Sequence, residues 1–139
     1  MSTYDTSTAE NSAITTNEID KLTAREATNM QKTSLTALAR TELDAAQKAP
    51  SGRSARTVFG GHEHQLRQTL IAMREGQELA EHANPGEATV QVLHGRVILT
   101  AGAESWSGWT GDLIIVPDAP HSLTAVEDST VLLTVVKHR

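Results

Sequence analysis

Residues 76–121, GQELAEHANPGEATVQVLHGRVILTAGAESWSGWTGDLIIVPDAPH, consist of short β-branched and apolar runs cut at regular intervals by turn residues. The run 89–93 stops at Gly95 and resumes at once over 96–100, which predicts two strands joined by a tight turn. Ala101 and Gly102 mark the next turn, and 105–110 carry both tryptophans before Gly111. Residues 113–116 are a four-residue apolar run ended by Pro117. Outward from this stretch, 121–125 and 130–136 continue the series toward the C-terminus. On the other side, 54–59 and 66–73 precede it, divided by Gly60 and Gly61. Strands this short, with turn signals between them, predict an all-β sandwich or barrel rather than alternating βα units.

The same residues resemble the cupin superfamily of small jelly-roll barrels. That family's first motif runs Gly, five residues, His-x-His, three or four residues, Glu, six residues, Gly. Gly76, His82 and Gly95 match it, while Asn84 stands in the second His slot and Ala88 or Thr89 in the Glu slot. The second motif runs Gly, five residues, Pro-x-Gly, two residues, His, three residues, Asn. Gly111 and Pro117 match it, Ala119 takes the Gly slot, His121 arrives one residue early, and Ala125 takes the Asn slot. Fifteen residues separate Gly95 from Gly111, as in compact bacterial cupins. The likeness spans about residues 54–137 and implies a small single-domain cupin of the RmlC-like, conserved-barrel kind, with degenerate metal motifs.

Around the barrel, the chain divides into three parts. Residues 1–29 are rich in Thr, Ser, Ala and Asn and carry five acids against two bases. Such a segment buries too little apolar surface to offset its ordering entropy, so a flexible tail is expected, with a short helix over 17–27 as the alternative. Met30 is an alternative start. Residues 30–53 hold a helix and linker: Thr33 or Ser34 can cap a helix over 33–49, whose stripe is Leu35, Leu38, Ala39, Leu43, Ala46 and Ala49. Glu42 interrupts that stripe, and Pro50 ends the helix. It is expected to cover one side or end of the barrel of residues 54–139, or to make a dimer contact.

Composition narrows the function. The net charge is −5 and the 12 Lys and Arg form no basic run, which argues against nucleic acid or an anionic membrane as partner. Without cysteine there is no disulfide framework and no thiolate nucleophile. No apolar run approaches membrane-spanning length and no basic, then apolar, leader opens the chain, so a cytoplasmic protein is expected.

By the resemblance, His82 and His121 lie together in the barrel cavity and, with Asn84, bind a ligand. They are also the candidate metal ligands, with Glu87 as a possible carboxylate if Pro85 and Gly86 hold it in the turn. Two imidazoles fall short of a closed zinc site, or of the two His and one carboxylate of non-haem iron. Any zinc, iron, manganese or nickel is therefore expected to bind weakly.

Other polar and aromatic positions carry weaker signals. His62, Glu63 and His64 have a chelating spacing but follow two glycines, which favours a solvated loop. His94 and His138 read as surface residues. Trp106 and Trp109, three apart on a strand, should face opposite sides, one packed inward. Arg67 and Gln68 cannot both face the cavity, and Gln91 is expected to point outward.

Three classes follow. The first is a sensory or accessory cupin binding a small polar or anionic molecule. The second is a metal-dependent dioxygenase, isomerase or decarboxylase using His82 and His121. The third is a barrel that scaffolds protein interaction. No Ser-His-Asp order, phosphate loop or dinucleotide fingerprint opens another. A homodimer is expected through the apolar run that ends the barrel, taken as an exposed edge.

Overall fold

The computed structural model describes residues 31–82 and 86–137, with His82 described by its backbone alone. The expected tail, the alternative start at Met30, Asn84 and His138 lie outside the described residues. The elements are α1 (Leu35–Lys48), β1 (Arg53–Phe59), β2 (Leu66–Met73), β3 (Glu78–His82), β4 (Gly86–His94), β5 (Arg96–Ala101), β6 (Glu104–Trp109), β7 (Leu113–Ile115), β8 (His121–Ala125) and β9 (Ser129–Lys137).

Two antiparallel sheets form a jelly-roll sandwich, one in the order β1-β2-β9-β4-β7 and the other β3-β8-β5-β6. Tight turns start the strands where the glycines stand. Gly95 has φ 95°, a left-handed conformation that favours glycine, and a Cβ there would overlap Ser129 and the Asp128 carbonyl. Gly108 is required by closeness instead, since a Cβ on it would press against Ile114 and Val92 in the core. Between the sheets lie Ile71, Met73, Val90, Val92, Val97, Leu99, Leu123 and Val131, all buried. Each such side chain contributes about 1.5–3 kcal/mol by leaving water.

The run at 129–137 is not an edge. β9 sits between β2 and β4, paired to both over nearly its whole length, so a homodimer cannot add to it there. Among the described residues the sheet edges are β1, β7, β3 and β6. A run that is apolar and β-branched on both faces fits a strand covered on both sides. Its inward residues Val131 and Val135 belong to the barrel core, and the outward Leu132 is buried on the side where α1 lies.

Helix α1 begins where Ser34 Oγ accepts a hydrogen bond from the Ala37 N–H at 3.1 Å. Its inner stripe is the expected one, and Glu42 belongs to it. Glu42 is buried, accepting from Ser54 Oγ at 2.6 Å and Arg56 Nε at 2.9 Å, both on β1. The apparent flaw in the stripe is therefore a polar anchor that sets the helix against the sheet. At the helix's other end, Gln47 Nε2 donates to Asp128 at 3.0 Å, and the Glu75 N–H donates to the same carboxylate at 2.8 Å. Among the described residues no helix is long and apolar enough to cross a membrane.

Two outcomes test this anchoring. Glu42→Ala leaves a hydroxyl and a guanidinium without their buried acceptor and is expected to cost about 2 kcal/mol, lowering Tm by about 10 °C for a domain of this size. Asp44→Ala removes only the exposed pair with Lys48 and should cost under about 0.5 kcal/mol; equal effects of the two changes would contradict the anchor.

Asp128 supplies the pH test. The Glu75 amide, then the Gln47 amide, hold its carboxyl below the usual carboxylate range. A depressed folded-state pKa adds stability above the unfolded value near 3.8 that is lost as pH falls through the folded one. Wild type should thus lose a small increment below about pH 4 that Asp128→Asn lacks, measured by denaturant unfolding across pH. Parallel acid limbs would contradict it.

Candidate functional site

His121 opens β8 directly after the segment holding Pro117 and Pro120, and its ring is buried, 4% exposed. Its Nδ1 lies 2.9 Å from the Ala119 carbonyl. A carbonyl only accepts, so Nδ1 carries the proton and the neutral ring presents Nε2 as its acceptor or ligating atom. Beneath the ring is an apolar cavity of about 20 Å³, lined by Leu79, Val90, Leu99, Leu123 and Leu133 among others. That volume holds about one water, so it admits no larger molecule.

His82 closes β3. Its backbone pairs directly with that of His121 across the β3–β8 ladder, with an irregularity between Leu79 and His82. The two expected site residues are therefore neighbours in register.

Glu87 is not with them. β4 already begins at Gly86, so Glu87 is in extended strand rather than in the turn, and it is exposed on the outer face opposite Val136. Ala88, in the slot the family fills with Glu, points inward and is buried. Among the described residues no three His, Cys, Asp or Glu side chains come together in a way that could hold a metal ion. A methyl group where a carboxylate is needed and an outward Glu87 leave the donor set short of a transition-metal shell. The described residues alone do not make up the family's metal shell.

The register adds one residue that local reading left undecided. β2 pairs with β9 without a break, so its odd positions all face the same way as the core residues Ile71 and Met73. Thr69 and Arg67 therefore face the barrel interior. Gln68 faces out, donating to Thr134 Oγ1 at 3.2 Å. Arg67 lies opposite Val135, one inward step beyond the Leu133 that lines the cavity. Packed sheets are about 10 Å apart, a gap that an arginine from β2 can cross toward a group held on β8. Side chains alternate along any strand, but over 66–73 the residue types do not alternate, so the phase waits on which face the core takes.

The remaining candidates fall elsewhere. Trp106 pairs with Leu99 on the core side of the sheet, and Trp109 pairs with Arg96 on the outer side, as opposite faces require. Neither is packed inward: they are 41% and 53% exposed, and the buried residue of β6 is Gly108. Arg96 stacks its guanidinium on Trp109, 4.6 Å from the ring centroid. His62, Glu63 and His64 are exposed in a turn, where His64 packs on Phe59. His94 and Gln91 are exposed, as expected.

No protein-family model and no curated protein matches the chain. Solved structures do. A conserved protein of unknown function from Streptococcus pyogenes is 33% identical, with 66% of this chain and 79% of that one covered at a TM-score of 0.59. An RmlC-like cupin from Desulfovibrio desulfuricans is 25% identical over 60% of this chain and 81% of that one, TM-score 0.54. A cupin superfamily protein from Desulfitobacterium hafniense shares the fold at 14% identity, TM-score 0.57, over 62% and 78%. With the two-sheet jelly roll, the motif glycines at its turns and His82 beside His121, the chain belongs to the cupin superfamily.

Proposed function

We propose that this cupin binds a small polar or anionic molecule at the open end of its barrel, in a sensory or accessory role, with His82 and His121 as hydrogen-bond partners. The observation that carries this reading is the direct pairing of His82 with His121 across β3 and β8. Nε2 of His121 offers an acceptor in the neutral ring and a donor in the charged one, so it suits a polar group in either state. Arg67, on the inner face of β2, adds a permanent cation and favours the anionic choice. The apolar cavity below is too small to admit the ligand, so recognition belongs to the rim.

The test is calorimetric titration of the full chain with inorganic phosphate and with acetate. His82→Ala and His121→Gln should each weaken binding about tenfold, the loss of one charge-assisted hydrogen bond. Gln is used at His121 because that ring is buried and its volume must be kept. Dialysed protein should hold substoichiometric metal. One tightly held iron, zinc, manganese or nickel per chain, lost in His82→Ala, would overturn the binding reading in favour of a metal-dependent enzyme.

A further inference from the structure

A second concavity lies on the other side of the five-stranded sheet, between α1 and the outer face of β4 and β9, with a volume of about 340 Å³. Ala39 and Leu43 of the helix and Leu93 of β4 give it apolar walls, while Arg40, His94 and Thr130 supply the polar groups. It is separate from the barrel mouth. Thr130 is at the opposite end of β9 from Val135, and its side chain points to the helix side, paired in register with Ala72 and His94.

Thr130 is the unusual member. It is fully buried, and its Oγ1 has no hydrogen-bond partner among the described residues. Buried hydroxyls are nearly always paired, because the water they give up must be replaced. Here the residue that carries the unpaired hydroxyl is among those around a pocket large enough for a ligand. Arg40 is exposed and in no ion pair among the described residues. An apolar cleft of a few hundred Å³ with a few convergent polar groups is the ordinary form of a small-molecule site.

We infer that this pocket is a second binding site, for a small amphiphilic anion: a monocarboxylate with a short alkyl or aromatic tail. The tail lies against Ala39, Leu43 and Leu93, and the carboxylate takes the Thr130 hydroxyl and the Arg40 guanidinium. The site is independent of the histidine pair, so either can fail without the other.

The experiment uses the full chain, labelled with ¹⁵N, titrated with hexanoate and separately with hexanol, and followed by amide NMR. Hexanoate should shift the amides of Ala39, Leu93 and Thr130 and bind about tenfold tighter than hexanol. Arg40→Ala, at an exposed position where folding is not at stake, should remove that preference. Thr130→Val, nearly the same shape, should weaken hexanoate about fivefold while leaving the fold intact. The inference is overturned if hexanoate leaves these amides unmoved at about 10 mM, if it moves only those around His121, or if both variants bind as wild type does.

Discussion

The position of β9 between β2 and β4 is the constraint from which the rest of the barrel follows. Side chains alternate along a strand, so its pairing with β2, unbroken from Leu66 opposite Val136 to Met73 opposite Ser129, divides both strands between two compartments. Val131, Leu133 and Val135 go inward to the core, and Thr130, Leu132 and Thr134 go outward toward the helix side. A slip of one residue would exchange them. The same alternation puts Arg67 beside the barrel interior and leaves Gln68 bonded to Thr134 outside. Further along, it places Leu70 and Ala72 where the sheet meets α1.

Polar anchors then set the helix on that outer layer. Apolar contact alone resists separation but not sliding, because it has little direction. Glu42, bonded to two side chains of β1, and Gln47, bonded to Asp128, give the helix a fixed place along and across the sheet. The 340 Å³ concavity is lined by the first turns of the helix, including the small Ala39, while those anchors are near its middle and far end.

Much of this was legible in the chain. The turn glycines and Pro117 divide strands correctly, because a positive φ or a fixed one is a local demand that few residues meet. The helix was legible from its cap, its stripe and Pro50. What escaped depends on distant partners. β3 has one large apolar residue, Leu79, and two glutamates, so nothing local marks it as a strand; its pairing with β8 makes it one. Glu42 looked like a gap until Ser54 and Arg56 were brought to it. The phase of Arg67 and Gln68 waited on which face became the core. Apolar character alone suggests an edge for the run 129–137, although covering on both faces is what such a run requires.

The candidate site keeps the family's frame but not its full ligand set. His82 and His121 stand in adjacent positions of the ladder, while Ala88 occupies the carboxylate's slot and Glu87 points away. Recognition of a polar group by imidazole and guanidinium needs no metal shell, and that is the chemistry proposed for these side chains. Its most direct test is a long-range ¹H–¹⁵N spectrum of the histidine rings, recorded with and without phosphate. The expected result is His121 protonated at Nδ1 and bonded to Ala119, with its Nε2 resonance moving as phosphate is added. An Nε2-protonated His121, or ring resonances that phosphate leaves unchanged, would contradict it.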